Sequence, residues 1–293
     1  AWWGRQMLQR AHELAAVTQD PYLAGVLGLA EGHVALDVGR WGEARAHVEA
    51  GLHTLRTACT GADWECALGE LARLRVLEEL GDGPGLAQGV AAVGTRSRAR
   101  GDRYTTLIVQ RFEGLLALRA GDVTRARALA ASAREAWASR SVHLPLLYVV
   151  QLEVWCDLYE GQAAAALARV EAVWPELEAS GVFALSRARA DAELMRAQAA
   201  VAAALAAGQG ASVPRLLGRD GLKKRRDLGG ARLLLEASVR PELAMEAAGA
   251  LSEAGQALLA AAARDDHAAL AAAGVAEPAL WLRLWSRGAT PPR

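Results

Sequence analysis

Leu36-Asp37-Val38-Gly39-Arg40-Trp41, Leu80-Gly81-Asp82, Ala120-Gly121-Asp122 and Tyr159-Glu160-Gly161 are four occurrences of one turn. Their glycines, Gly39, Gly81, Gly121 and Gly161, stand 42, 40 and 40 residues apart. Self-similarity at a period of this size marks a stacked repeat. Five residues after each glycine comes a small or apolar residue: Ala44, Leu86, Ala126 and Ala166. Glycine ends a helix easily because, without a Cβ, it enters the left-handed region that the closing turn requires. A small residue early in the next helix then lets the two helices approach closely. Gly39, Gly81, Gly121 and Gly161 are therefore assigned as structural turn residues. Trp41, Ala44, Ala126, Ala166 and Trp174 are assigned to helix packing.

The segments on either side of the turns have helical spacing. Trp41, Ala44, Val48, Leu52 and Leu55 step by three, four, four and three. Ala166, Val170, Trp174 and Leu177 do the same, as do Leu68, Leu71, Leu74 and Leu77 ahead of a turn. Each set covers one face of an amphipathic helix. Helices are expected over 3–18, 22–38, 41–57, 64–80, 84–99, 103–119, 123–138, 144–159, 163–179 and 183–207. Further helices are expected near 228–238, 242–264 and 277–286. Short links between such helices give antiparallel hairpins, and one hairpin cannot bury its apolar face alone, so neighbours stack. The fold expected is all-α, a TPR-like α-solenoid. Residues 1–207 hold about five hairpins, 208–230 form a linker or degenerate repeat with six glycines, and 231–293 form capping helices.

Composition agrees with an all-helical chain. Hydrophobic residues make up 53% of the 293, and aromatics 5%, nine of them Trp. Helix formers dominate, and Ile108 is the only isoleucine, so strand-type enrichment is missing. Lys and Arg balance Asp and Glu at 33 each, without the basic excess of a nucleic-acid binder. Cys59, Cys66 and Cys156 form no C-x-x-C pair, and their odd number argues against a disulfide framework. No signal-peptide pattern opens the chain, and the longest uncharged run, between Arg196 and Arg215, is too rich in Ala and Gly to span a bilayer. A cytoplasmic protein is expected, with neither membrane nor nucleic acid as partner.

Local wording carries the reading further. Arg56-Thr57-Ala58-Cys59-Thr60-Gly61-Ala62-Asp63-Trp64-Glu65, Asp157-Leu158-Tyr159-Glu160-Gly161, Ala163-Ala164-Ala165-Ala166-Leu167 and Ala172-Val173-Trp174-Pro175 resemble the C-terminal helical-repeat region of large serine/threonine protein kinases from myxobacteria and similar bacteria. The close of the chain, Ala257-Leu258-Leu259-Ala260-Ala261-Ala262-Ala263-Arg264 followed by Gly274-Val275-Ala276-Glu277-Pro278, is similar to that family's ending. The resemblance covers about residues 20–285. In residues 214–240 the family's further hairpin is shortened and scrambled. In that family a kinase domain and a STAND/AAA-type NTPase precede the repeats. The resemblance implies a non-catalytic regulatory region whose concave face takes a protein, peptide or small effector, with the attached kinase and NTPase domains as partners. A free-standing adaptor, or the sensor half of a STAND-type transcription regulator, is the alternative.

No catalytic, cofactor-binding or metal-binding residue is assigned. The chain has no G-x-x-x-x-G-K-[ST] loop, no H-R-D and no D-F-G, so nothing of a kinase or NTPase site lies within it. Gly81-Asp82-Gly83-Pro84-Gly85 offers a helix N-terminus to a phosphate but reads better as an interhelix turn. Arg264-Asp265-Asp266-His267 places its charges on adjacent positions that diverge around a helix, as at a capped end. His12, His33, His47, His53, His143 and His267 show no ligand spacing, though His33 and His47 lie on different helices that could bring them together. Arg215, Arg219, Lys223, Lys224, Arg225 and Arg226 form one basic patch without interleaved aromatics, and read as a solvated linker.

Overall fold

The computed structural model describes residues 2–137, 143–219 and 225–287. Among them the chain is all-α, with sixteen α-helices, a few 3-10 turns and no strand. Consecutive helices pack in pairs, the architecture of a helical-repeat solenoid. The chain divides into two compact units, Ala1–Thr105 and Thr106–Arg293. The sequence reading had placed its boundaries at 207 and 230, where the repeat signal fades.

The first unit holds α1 (Trp2–Thr18), α2 (Pro21–Asp37), α3 (Trp41–Ala58), α4 (Asp63–Leu80) and α5 (Gly83–Ala99). From α1 to α5, each helix packs on the next. The α2–α3 contact is made largely of glycines. A Cβ on Gly28 would lie 3.1 Å from the Gly51 Cα, and one on Gly51 would lie 2.7 Å from the Gly25 carbonyl oxygen. Around this close crossing Trp41, Ala44, Val48, Leu52 and Leu55 are buried, the stripe read from the sequence.

The division falls within α6 (Arg103–Arg119), after Thr105. The second unit continues with α7 (Val123–Trp137), α8 (Leu144–Tyr159), α9 (Ala163–Ala179) and α10 (Ser186–Ala206). Its core joins Leu147, Val150, Val154 and Leu158 of α8 to Ala166, Val170 and Leu177 of α9 and Ala188, Ala192, Met195 and Ala199 of α10. Burying side chains of this size contributes roughly 1.5–3 kcal/mol for each large one.

The turns explain the period. Gly121 has φ +80, its N–H donates to the Leu118 carbonyl, and the next amide, of Asp122, donates to the Ala117 carbonyl at 2.8 Å. This pair of bonds satisfies carbonyls left open at the helix end. Asp122 then accepts from the Arg125 N–H at 2.9 Å and so starts α7. One glycine stops a helix and one aspartate begins the next. The structure also shows what the sequence reading passed over. Gly61, Gly101 and Gly181 also have a positive φ, so with Gly81, Gly121 and Gly161 left-handed glycines recur on a 20-residue grid.

Beyond α10 the elements shorten. After Gly208 come a 3-10 turn, Gly210–Ser212, and α11 (Val213–Arg219), with Val213 and Leu217 buried. Lys223 and Lys224 of the basic patch lie outside the described residues. Arg225 is tied to Asp227 at 3.1 Å and to the Ser186 carbonyl. Next come α12 (Gly229–Glu236), α13 (Ala244–Glu253), α14 (Ala257–Ala263), α15 (His267–Ala272) and α16 (Pro278–Leu282). The single helix expected over 242–264 is thus two. Gly255 enters the left-handed region at φ +77, and the Gln256 N–H returns to the Leu251 carbonyl, closing α13. The sequence reading also missed α15, whose start Asp266 caps through the Ala269 N–H. The expected 183–207 helix begins at Ser186, preceded by a separate 3-10 turn, Val182–Ala184.

Candidate functional site

The assigned turn and packing residues occupy defined places. Gly39, Gly81, Gly121 and Gly161 all have φ between +74 and +80. Trp41, Ala44, Ala126 and Ala166 are buried. Trp174 is only half-buried; it meets Phe183 with centroids 5.1 Å apart and ring planes tilted by 46°, and the Arg196 guanidinium sits over it at 4.3 Å.

In each unit a set of charged side chains joins three helices. In the first unit the buried Glu70 of α4 accepts from Arg56 of α3 and from Arg96 of α5. Arg100 reaches back to Asp63 at 2.9 Å. These side chains rim a cleft of about 130 Å³ into which Cys66 projects, and burial pushes the Cys66 thiol up. In the second unit Asp157 of α8, 1% exposed at its side chain, pairs with Arg127 of α7 at 3.0 Å and with Arg169 of α9 at 2.9 Å. Glu153, one turn earlier, pairs with Arg134 and Arg169. Arg127 is pushed up, first by its hydrogen bond to Glu160. In both units a carboxylate on the middle helix binds arginines on the helices to either side. The carboxylates are buried but the arginines stay a third to a half exposed, so breaking one pair costs less than the about 3–5 kcal/mol of a fully buried one. Nothing in the sequence spacing announces these triplets, since the partners are separated by 12 to 30 residues on separate helices.

The candidates raised from the sequence fall as follows. The α5 N-terminus is already held by Asp82, which accepts from the Gly85 N–H at 2.9 Å. His267 lies 3.4 Å from Asp265, beside the Asp266 cap. His33 bonds the Leu29 carbonyl of its own helix. His47 instead shares Glu31 with His12, at 3.2 and 2.7 Å. Among the described residues no cluster of three His, Cys, Asp or Glu side chains is arranged to hold a metal ion, and no helix is long and apolar enough to cross a membrane.

One surface differs from this paired framework. On α4, Trp64 stands in the first turn, ahead of Leu68, Leu71, Leu74 and Leu77. Leu74 and Leu77 are buried, Leu68 and Leu71 are half-buried, and Trp64 is 69% exposed. At the same end of the hairpin Tyr22 and Leu23 of α2 are also exposed. The Tyr22 hydroxyl donates to Glu65 at 2.8 Å, which fixes it beside the α4 N-terminus and, by that hydrogen bond, pushes its ionisation up. Exposed Trp and Tyr side chains offer the amphipathic, low-entropy contact area favoured at binding hot spots.

These features define an all-α helical-repeat protein. Comparison with protein-family models, curated proteins and solved structures finds no match.

Proposed function

We propose that this chain is a non-catalytic interaction region, the regulatory part of a bacterial serine/threonine protein kinase that also carries an NTPase module. The exposed Trp64, with the exposed Tyr22 and Leu23, supports the interaction reading, since exposed aromatic side chains are the type favoured at binding hot spots. The kinase assignment rests on the resemblance of Arg56–Glu65, Asp157–Gly161, Ala163–Leu167, Ala172–Pro175, Ala257–Arg264 and Gly274–Pro278 to the repeat region of such proteins. A partner bound here would shift the attached domains only through unequal affinity for their two states. The reading places the protein in the cytoplasm.

The test has two arms. Purified chain incubated with ATP and a generic protein substrate should give no turnover above buffer; measurable turnover overturns the non-catalytic reading. The coding sequence upstream of Ala1 should encode, in frame, a kinase and then an NTPase. A start codon directly before Ala1 overturns the kinase assignment and leaves a free-standing adaptor.

A further inference from the structure

Residues 275–287 lie as a strap against the second unit. The Ala276 N–H donates to the Arg119 carbonyl at the end of α6, at 2.7 Å. The Arg283 guanidinium donates to the Tyr159 carbonyl at the end of α8, at 3.2 Å. The side-chain amide of Gln198 on α10, itself buried, donates to the Leu284 carbonyl at 3.0 Å, and its oxygen accepts from the indole N–H of Trp155 on α8 at 3.4 Å. At the strap's far end Arg287 donates to the carbonyls of Ala237 and Ala263. Trp281, Leu282, Leu284 and Trp285 are buried.

Two features set the strap apart from the helices it covers. Its polar contacts end on main-chain carbonyls, and three of them are reached by its own arginine side chains, so the segment held is recognised by its arginines as well as its backbone. Its polar groups are also poorly satisfied. The indole nitrogens of Trp281 and Trp285, the Ser286 hydroxyl and the facing Tyr159 hydroxyl are buried without a hydrogen-bond partner among the described residues. Each gives up bonds to water that it regains when the strap opens. Ser286 adds a left-handed backbone at φ +56, and the strap's own helices are five and three residues long. The groove, by contrast, is built on 16- and 21-residue helices packed on their neighbours.

We propose that Val275–Arg287 is a built-in, releasable ligand of the groove formed by the end of α6 with α8 and α10. It masks that groove until an external peptide of the same chemistry, two Trp and two Leu on a short helical turn with flanking Arg, replaces it. This deepens the interaction reading above by naming a second docking surface, the class of partner it takes and its occlusion in the free chain.

Amide hydrogen exchange on the intact chain tests release first. The amides of Ala276, Trp281 and Arg287, each hydrogen-bonded here, should exchange at least a hundredfold faster than those of Val150–Tyr159. Exchange at the α8 rate would mean that the strap opens only on global unfolding and overturns the proposal. The second arm adds a synthetic peptide of the sequence Val275–Arg287. It should bind saturably and speed exchange of the chain's own strap amides, while a peptide with both tryptophans replaced by alanine should do neither. Fast strap exchange without peptide binding also overturns the proposal. Either failure leaves the non-catalytic reading of the chain standing, because that reading fails on catalytic turnover.

Discussion

The α2–α3 hairpin of the first unit and the α8–α9 hairpin of the second share one frame and fill it in opposite ways. Their turn glycines, Gly39 and Gly161, stand 122 residues apart, and at that offset Ala44 matches Ala166, Val48 matches Val170 and Leu55 matches Leu177. All six are buried. On the facing helix, Gly25, Gly28 and Gly32 of α2 occupy the positions held in α8 by Leu147, Val150 and Val154. Gly51 of α3 stands where α9 has Val173. The first hairpin therefore closes until backbone meets backbone, and the second is held apart by aliphatic side chains. The turn and the second-helix stripe set the direction of the hairpin, and the first-helix residues set its width. Glycine costs about 1 kcal/mol in a helix interior relative to alanine, so α2 owes its helical state to the contact it makes with α3.

The comparison breaks first, and with the largest effect, at Gly51. In Gly51→Val the new Cβ would lie 2.7 Å from the Gly25 oxygen and 2.9 Å from the Leu29 nitrogen, both backbone atoms that cannot rotate away. The expected loss is about 3 kcal/mol or more, at the upper end of overpacking effects, read as a lower urea midpoint by circular dichroism. An unchanged midpoint would show that the hairpin can widen to the α8–α9 spacing freely. The converse substitution, Leu147→Ala, empties a fully buried site in the second unit and should cost about 3 kcal/mol. Hydrogen exchange assigns each loss. The first change should loosen α2 and α3, the second α8 to α10.

The frame was legible in the sequence and its width was not. Gly39, Gly81, Gly121 and Gly161 stood out because a left-handed turn demands one residue type and recurs at a fixed interval. The stripes on α3 and α9 stood out because burial on one face imposes helical spacing. Gly25, Gly28 and Gly32 carry no such signal, since glycine inside a helical pattern reads as a weakness until the facing helix is known to bring Gly51 opposite. The arginine–carboxylate triplets around Glu70 and Asp157 were invisible for a related reason: they depend on which faces three helices turn to one another. The break at Gly255 was readable in principle, as a lone glycine after Ser252-Glu253-Ala254, but the alanine-rich run beyond it restores helical propensity and hides the stop. Exposure of Trp64 was hidden as well, because a helix's sequence does not say which of its faces the neighbouring helices cover.

A third substitution separates the cost of a turn from the cost of what covers it. Gly121→Val must hold φ +80 and also places a Cβ 3.3 Å from the Glu277 Cγ. Gly181→Val must hold φ +77 with no atom within 4 Å. Holding a β-branched residue in the left-handed region costs about 1–3 kcal/mol at either site. Gly121→Val should lower the melting temperature more than Gly181→Val, by the contact it makes with Glu277. Equal shifts would mean that the approach of Glu277 to this turn adds nothing to stability.

The smallest effect concerns what surrounds the two first helices. Cys156 of α8 corresponds to Val34 of α2 in the shared frame, yet Cys156 is fully buried and Val34 is 38% exposed. Burial pushes the Cys156 thiol from an ordinary value near 9 up to about 12. A thiol with a raised folded value keeps its proton while the unfolded chain loses it, so the unfolded state binds fewer protons and stability falls as pH rises. The contribution is whole below pH 9 and is lost progressively between pH 9 and 12. Between pH 8 and 10 the loss attributable to this group is about 1.4 kcal/mol. Urea midpoints of the parent chain should drop over that interval. Cys156→Ala should flatten the drop, even though it lowers stability at pH 8 by removing a buried sulfur. Cys66→Ala, at a half-exposed thiol of the first unit that burial shifts in the same direction, should flatten it less. If Cys156→Ala leaves the alkaline slope unchanged, the sealed environment of α8 is not what separates it from α2.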